Sequence, residues 1–264
     1  MYNFDYVRPA SLKEVENALK GASDPKLLAG GMTLIPTLKQ RLASPDKLVD
    51  LAGISDLRGI KVTSDTVTIG AMTPHAMVAG SPEVAKAIPA LAHLADGIGD
   101  PQVRNRGTIG GSISNNDPAA DYPAAVVGLG ATVETTKRKI AADDFFTGMF
   151  ETALEPGEIV TAVSFPIPEK AGYSKFPNPA SRYAIVGVMV AKTKGGVRVA
   201  VTGAGPCVFR VAEMEKALAG NFSPDAVANI KVPATNLNSD IHASAEYRAH
   251  LVTVMAKRAV AAAG

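Results

Sequence analysis

An α+β fold is predicted for this 264-residue chain by two observations. Strand-like and helix-like segments are mixed throughout, but they never settle into the regular strand–helix–strand alternation of a doubly wound parallel sheet. Late in the chain, Lys194-Gly195-Gly196 sits between two apolar runs and reads as the turn of an antiparallel hairpin. The length suffices for two modest domains. Pro166-Ile167-Pro168 is the natural joint between residues 1–165 and 166–264.

Taken in order, Ser11-Leu12-Lys13-Glu14 is a capping box that opens a helix ending at Gly21. Residues 26–29 read as a buried strand, and the segment after Pro36 as a helix with Leu38 and Leu42 on one side. Residues 47–51 form another short strand. Residues 60–62 and 67–69 alternate around Ser64-Asp65 as a hairpin. Pro74 and Pro82 each suit a helix start, the second helix running through Leu91 and Leu94 to a break at Gly97-Ile98-Gly99. A helix over 119–128 carries Asp121 in its first turn. Residues 131–136, 139–142 and 158–165 are strands, the last β-branched. Beyond the joint, strands at 183–192 and 197–202 flank the hairpin turn. Helices follow at 211–218, near Pro224 and over 244–263.

Composition bounds the function. Hydrophobic content of 47% with 20% charge describes an ordinary globular protein. A net charge of +2 exerts no strong pull toward nucleic acid or acidic membranes. The start, Met1-Tyr2-Asn3-Phe4-Asp5, has neither a basic flank nor an apolar core, and no run approaches the ~18 apolar residues of a membrane span, so a cytoplasmic location is expected. The single cysteine, Cys207, excludes an internal disulfide and an iron–sulfur cluster held by this chain alone. His75, His93, His242 and His250 do not have metal-ligand spacing. Arg104 and Arg106 read equally as phosphate partners or as surface ion pairs.

The chemistry concentrates in two glycine stretches. Residues 106–123 contain Thr108-Ile109-Gly110-Gly111-Ser112 and Asn115-Asn116-Asp117-Pro118-Ala119-Ala120-Asp121-Tyr122-Pro123. They hold too many small residues for a strand and too few apolar ones for a helix. Paired glycines expose bare amides, the hydroxyls donate, and Asp121 offers a carboxylate; the set suits phosphate and ribose, or equally a Gly/Asn-rich surface turn. Earlier, Leu28-Ala29-Gly30-Gly31-Met32-Thr33-Leu34-Ile35 repeats the design at the end of an apolar run. Neither is a Walker P-loop nor a G-x-G-x-x-G fingerprint. Together they suggest two lids on one extended ligand.

The pair, in this order, resembles the flavin-binding subunit of the molybdenum hydroxylases. It is similar above all to the medium subunit of aerobic carbon-monoxide dehydrogenase and to xanthine-dehydrogenase-type relatives. The resemblance covers essentially the whole chain. It implies a two-lobed PCMH-type FAD-binding domain over 1–165 (lobes 1–55 and 56–165) and a small C-terminal domain of antiparallel sheet plus helices over 166–264. It also implies non-covalent FAD. Molybdopterin and [2Fe-2S] clusters belong to a large and a small partner subunit, and the assembly is a dimer of heterotrimers that sends electrons to NAD, a quinone or another acceptor.

Carried over by motif, Leu28 through Ile35 and Thr108 through Ser112 hold the pyrophosphate, and Asn115 and Asp121 contact the ribityl and ribose region. Ile98 lies near the flavin, Val160 and Lys175 line the FAD, and Tyr183 packs on the isoalloxazine. Members that oxidise carbon monoxide often have His or Gln at the place of Met32, which cannot donate a hydrogen bond. Two other classes are compatible with the residues: a self-contained FAD-dependent oxidase and a non-catalytic nucleotide-binding assembly module.

Overall fold

The computed structural model describes residues 1–264. The N-terminal lobe consists of β1 (Asp5–Val7), α1 (Leu12–Leu19), β2 (Pro25–Leu28), α2 (Leu34–Lys39) and β3 (Lys47–Asp50), with its three strands parallel in the order β1-β3-β2. Ser11 caps α1 by accepting from the Glu14 amide, and the Glu14 carboxylate accepts from the Ala10 amide. α1 buries Val15 in a small core with Val49 and Leu51. α2 begins at Leu34, ahead of Pro36, whose missing N–H costs nothing in a first turn. The helix stops short of Leu42, which is 74% exposed and does not share the buried face of Leu38.

The central lobe runs through β4 (Ile60–Val62), β5 (Thr66–Gly70), α3 (His75–Ala79), α4 (Pro82–Ala87), α5 (Pro89–Asp96), α6 (Pro101–Arg106), α7 (Ile109–Asn115) and α8 (Tyr122–Gly128). It continues through β6 (Thr132–Thr135), β7 (Lys139–Ala141), α9 (Ala142–Phe145), β8 (Phe146–Gly148), β9 (Glu151–Thr152) and β10 (Val160–Pro166). Its main sheet is antiparallel in the order β4-β5-β10-β6-β7. The single helix expected from Pro82 to Leu94 is two, broken at Ile88, because Pro89 disfavours helical geometry in the residue before it.

The larger correction concerns α7. The stretch that reads as irregular is a helix, capped by the Thr108 hydroxyl accepting from the Gly111 amide. Its glycines are there for contact. A Cβ at Gly110 would lie 2.5 Å from the Ala71 Cβ, so close packing overrides the ~1 kcal/mol propensity cost of each glycine.

The C-terminal domain is β11 (Lys170–Pro177), β12 (Ala184–Thr193), β13 (Gly196–Thr202), β14 (Phe209–Arg210), α10 (Ala212–Gly220), α11 (Pro224–Val227) and α12 (Ala245–Ala262). The sheet is antiparallel, β11-β12-β13-β14. Helices α10 and α12 pack on this sheet, and α5 and α8 of the central lobe pack on it as well. Val186, Val188 and Val190 of β12 join Val252 and Met255 in one core, while Met189 and Ala191 join the central core. Burial on both faces explains the unbroken apolar run of β12. The α+β class holds, and the C-terminal sheet is built into the rest of the molecule.

Candidate functional site

The two glycine stretches meet. Gly30 lies directly against the backbone that leads into α7. A Cβ there would overlap the Arg106 carbonyl oxygen and approach its carbon to 2.7 Å and the Gly107 Cα to 2.8 Å. A Cβ on Gly111 would sit 3.3 Å from the Ala29 Cβ. The contact forms because both flanks are anchored. β2 delivers Gly30 from the N-terminal sheet. The amides of His75, Ile109 and Gly110 donate to the carbonyls of Gly107, Thr73 and Ala71, stitching the α7 entrance to the turn after β5.

The stretches differ in their free groups. The first amides of α7 are spent: Ile109 and Gly110 as above, Gly111 on the Thr108 hydroxyl and Ser112 on the Thr108 carbonyl. The N–H groups of Gly30, Gly31, Met32 and Thr33 donate to nothing within the chain. Gly31 has φ +76°, a left-handed turn that glycine tolerates, and the four unspent amides around it are available to an anion. A bare-amide cradle is therefore present at the first stretch alone.

Both stretches line one cavity of about 730 Å3, within the range of ~300–1,000 Å3 common for cofactor sites. The N-terminal lobe contributes Ala29, Gly30, Gly31, Met32, Thr33 and Leu34. The central lobe contributes Ile98, Thr108, Gly110, Gly111, Ser112, Asn115, Asp121 and Val160, and the C-terminal domain contributes Tyr183. Four expected residues lie outside the lining. Leu28 and Ile35 pack around Gly31 instead. Ile109 is fully buried, as the apolar partner of a helix that turns its small residues to the cavity. Lys175 is tied up by its neighbours, described next.

The acidic groups at the cavity are already engaged. Asp121 accepts from the Tyr173 hydroxyl and pairs with Lys175 at 2.9 Å, both partners nearly inaccessible. Burial raises the Asp121 carboxyl while the Lys175 ammonium pulls it down. Asp121 thus has a structural role as the ion-pair partner at the joint between α8 and β11, whether or not it also meets a ribose hydroxyl. Glu158 is held by Arg138 at 3.1 Å and by Thr135, which keep it ionised with a pKa of about 2. Asp100 caps α6, and Asp117 accepts from the Ala119 amide.

Two cations line the cavity, Lys26 and Arg182. Arg182 went unnoticed in the sequence because only the fold of the loop between β11 and β12 brings it there. Arg104 is turned away, donating to the carbonyls of Ile98 and Gly99 at 3.1 Å each. Tyr183, 44% exposed, lines the cavity from the C-terminal domain. Burial first, then Asp117 and Asp121, push its hydroxyl pKa up.

His75 is a second lining residue that spacing rules could not find. It starts α3 behind Pro74, is buried, and leaves Nδ1 without a partner beside the equally unpartnered Tyr122 hydroxyl, their rings 5.3 Å apart. Burial, then the Arg104 charge, push its pKa down to about 4, so the ring is neutral at physiological pH. An unfolded histidine takes its proton near pH 6.5, so this contribution to stability is whole above that pH and is lost as pH falls toward 4. The loss is about 3 kcal/mol. Urea unfolding of wild type and His75→Leu should diverge over that window, wild type losing more. Parallel profiles would remove His75 as the cause.

The comparisons with known proteins bear on this cavity. Residues 2–168 match the family model described as the FAD binding domain in molybdopterin dehydrogenase, and residues 171–263 match the CO dehydrogenase flavoprotein C-terminal domain. The chain belongs to the FAD-binding family of molybdopterin dehydrogenases. It is 37% identical to the nicotine 6-hydroxylase medium subunit of Paenarthrobacter nicotinovorans, over 98% of this chain and 96% of that one. It is also 37% identical to the carbon monoxide dehydrogenase medium chain of Afipia carboxidovorans, with the same coverage. The crystal structure of the cyanide-inactivated Cu,Mo-CO dehydrogenase superposes with a TM-score of 0.89 at 36% identity, covering all of this chain and 98% of that one. The FAD-binding family member described here is thus an oxidoreductase subunit of the medium-chain type. Its four free amides, two cations and apolar walls fit a dinucleotide diphosphate carrying a planar ring. No helix is long and apolar enough to cross a membrane.

Proposed function

We propose that the chain holds FAD non-covalently in this cavity and relays electrons. They come from the iron–sulfur clusters of a small partner subunit, and they leave to NAD, a quinone or another acceptor. Substrate is oxidised on a large molybdopterin subunit, and the assembly is a dimer of heterotrimers. Bound FAD supplies the redox chemistry, since it can exchange electrons singly or in pairs.

The chain's residues bind and orient. The Gly30–Thr33 amides take the diphosphate, helped by the charge of Lys26 and Arg182. Ser112 and Asn115 face the sugar chain. Ile98, Val160 and Tyr183 wall the ring. The single observation that carries the reading is that the only unspent amide run of the glycine stretches opens into a cavity walled by all three parts of the fold. Asp100, Asp117, Asp121 and Glu158 are engaged, and His75, whose pKa of about 4 makes it a weak base, is a poor proton acceptor, which favours a relay over a self-contained oxidase.

The native complex should be purified and its flavin, iron, sulfide and molybdenum assayed together, then again after the subunits are separated. One FAD per copy of this chain, with iron and molybdenum on the other subunits, is expected. Reduction by substrate should bleach the flavin band only when the iron–sulfur subunit is present. Substrate-dependent peroxide from this chain alone would point to an oxidase, and a flavin-free complex to an assembly module.

A further inference from the structure

Lys175 lies outside the cavity lining, yet its ammonium joins three segments that supply that lining. It donates to the Gly97 carbonyl at 2.8 Å, just before Ile98 and Gly99, and to the Arg182 carbonyl at 2.9 Å, just before Tyr183. It also pairs with Asp121, at the start of α8, at 2.9 Å. The side chain is 9% exposed, and its three protons match these three partners.

The loop it clasps is under tension. Arg182 has φ +63°, an unfavourable conformation for a side chain with a Cβ. Asn178 holds the loop's other end by accepting from the Ala180 and Ser181 amides and by accepting at its carbonyl from the Arg182 amide. A strained residue persists only where its surroundings over-determine it. Through its own bonds to Gly97 and Asp121, Lys175 links this strained peptide to the central lobe; the Arg182 guanidinium adds a tie to the Gly99 carbonyl at 3.3 Å, and the Ala184 amide one to the Ala119 carbonyl at 3.2 Å.

We infer that Lys175 is a positioning residue: without touching the cofactor it holds the Asn178–Tyr183 loop in place, and so seats the Tyr183 ring in the cavity wall. The inference rests on the FAD reading above. It differs from the direct lining role that the family resemblance implies for Lys175, because the ammonium is saturated by protein acceptors.

A phenol ring against a flavin quenches its fluorescence by donating an electron to the excited ring, so the fast-decaying fraction of flavin emission reports where Tyr183 sits. The test is time-resolved flavin fluorescence and FAD titration on the complex carrying wild type, Lys175→Met, Lys175→Arg, Tyr183→Leu or Lys175→Met with Tyr183→Leu. FAD affinity in Lys175→Met should stay within a few-fold of wild type while the quenched fraction drops severalfold, to the Tyr183→Leu level. The double variant should be no different from Tyr183→Leu. Lys175→Arg should be intermediate, since a planar fork cannot reach all three acceptors together.

Full wild-type quenching in the Lys175 variants overturns the inference. If Lys175→Met does not fold, Lys175→Arg alone decides it. Loss of FAD from Lys175→Met but not from Tyr183→Leu also overturns it, because that pattern means direct contact with the cofactor. A wild-type complex without FAD overturns the FAD reading itself, and the Lys175 role with it.

Discussion

Gly30→Val is expected to yield a protein that purifies without its flavin. The new Cβ would overlap the Arg106 carbonyl, and its nearest other neighbours, the Arg106 carbon and the Gly107 Cα, are also backbone and cannot rotate aside. The two glycine stretches must therefore separate. The free amides of Gly30–Thr33 move with the N-terminal lobe, away from the wall formed by α7. A separation of about 1 Å is enough to break charge-assisted hydrogen bonds, which favour short contacts. Losing two or three such bonds at about 1.5–3 kcal/mol each weakens binding by roughly a hundredfold or more. Visible flavin absorbance of the purified variant, followed by FAD titration, reads this directly. Gly111→Ala is the internal comparison. Its Cβ would meet the Thr108 hydroxyl at 3.0 Å and the Ala29 Cβ at 3.3 Å, contacts that small shifts relieve, so it should retain far more flavin than Gly30→Val. Equal and full FAD occupancy in both would disprove the close approach.

Asp121→Ala is expected to act on the fold before it acts on the cofactor. In the structure the carboxylate neutralises Lys175 and accepts from Tyr173 in a site where both charged side chains are under 10% exposed. Removing it leaves an ammonium buried without a counter-charge, at a cost of about 3–5 kcal/mol. That is a large part of the ~5–15 kcal/mol that holds a typical domain together. The damage would be shared, because Lys175 also holds the Gly97 and Arg182 carbonyls. Asp121→Asn should be milder, since the amide keeps an acceptor for one partner. Chemical unfolding checks the order. A pure ribose contact would instead weaken FAD binding with little change in stability, and that outcome would restore the role the sequence suggests.

The contrast between these residues shows what the sequence can and cannot disclose. Both glycine stretches stand out because Gly-Gly pairs beside hydroxyl residues are unusual, and the fold brings them together. Their reasons differ from the expected ones. Gly30 and Gly110 make room for protein backbone and side chain, and the amides of α7 are consumed by Thr73, Ala71 and Thr108. Local propensity argued against a helix at 109–115, and only the Thr108 cap and packing on Ala71 explain it.

β11 escaped notice for a related reason. Its Gly172, Tyr173, Ser174 and Lys175 lack a β-branched run, because the strand is selected for contacts. A Cβ at Gly172 would overlap the Ala259 carbonyl of α12, Tyr173 reaches Asp121, and Lys175 reaches three segments. His75 and Arg182 enter the cavity from parts of the chain with no motif, through tertiary closeness that no spacing rule encodes. Capping boxes, proline starts and the Lys194-Gly195-Gly196 turn were legible because their causes lie within a few residues.

The account turns on one ligand spanning the joint between the two glycine stretches, and a crystal structure of the FAD-loaded complex tests it most directly. The diphosphate should lie about 2.7–3.2 Å from the free amides of Gly30–Thr33, with α7 forming the facing wall and Tyr183 against the ring. FAD bound elsewhere, or a diphosphate held only by side chains while those amides face water, would contradict it.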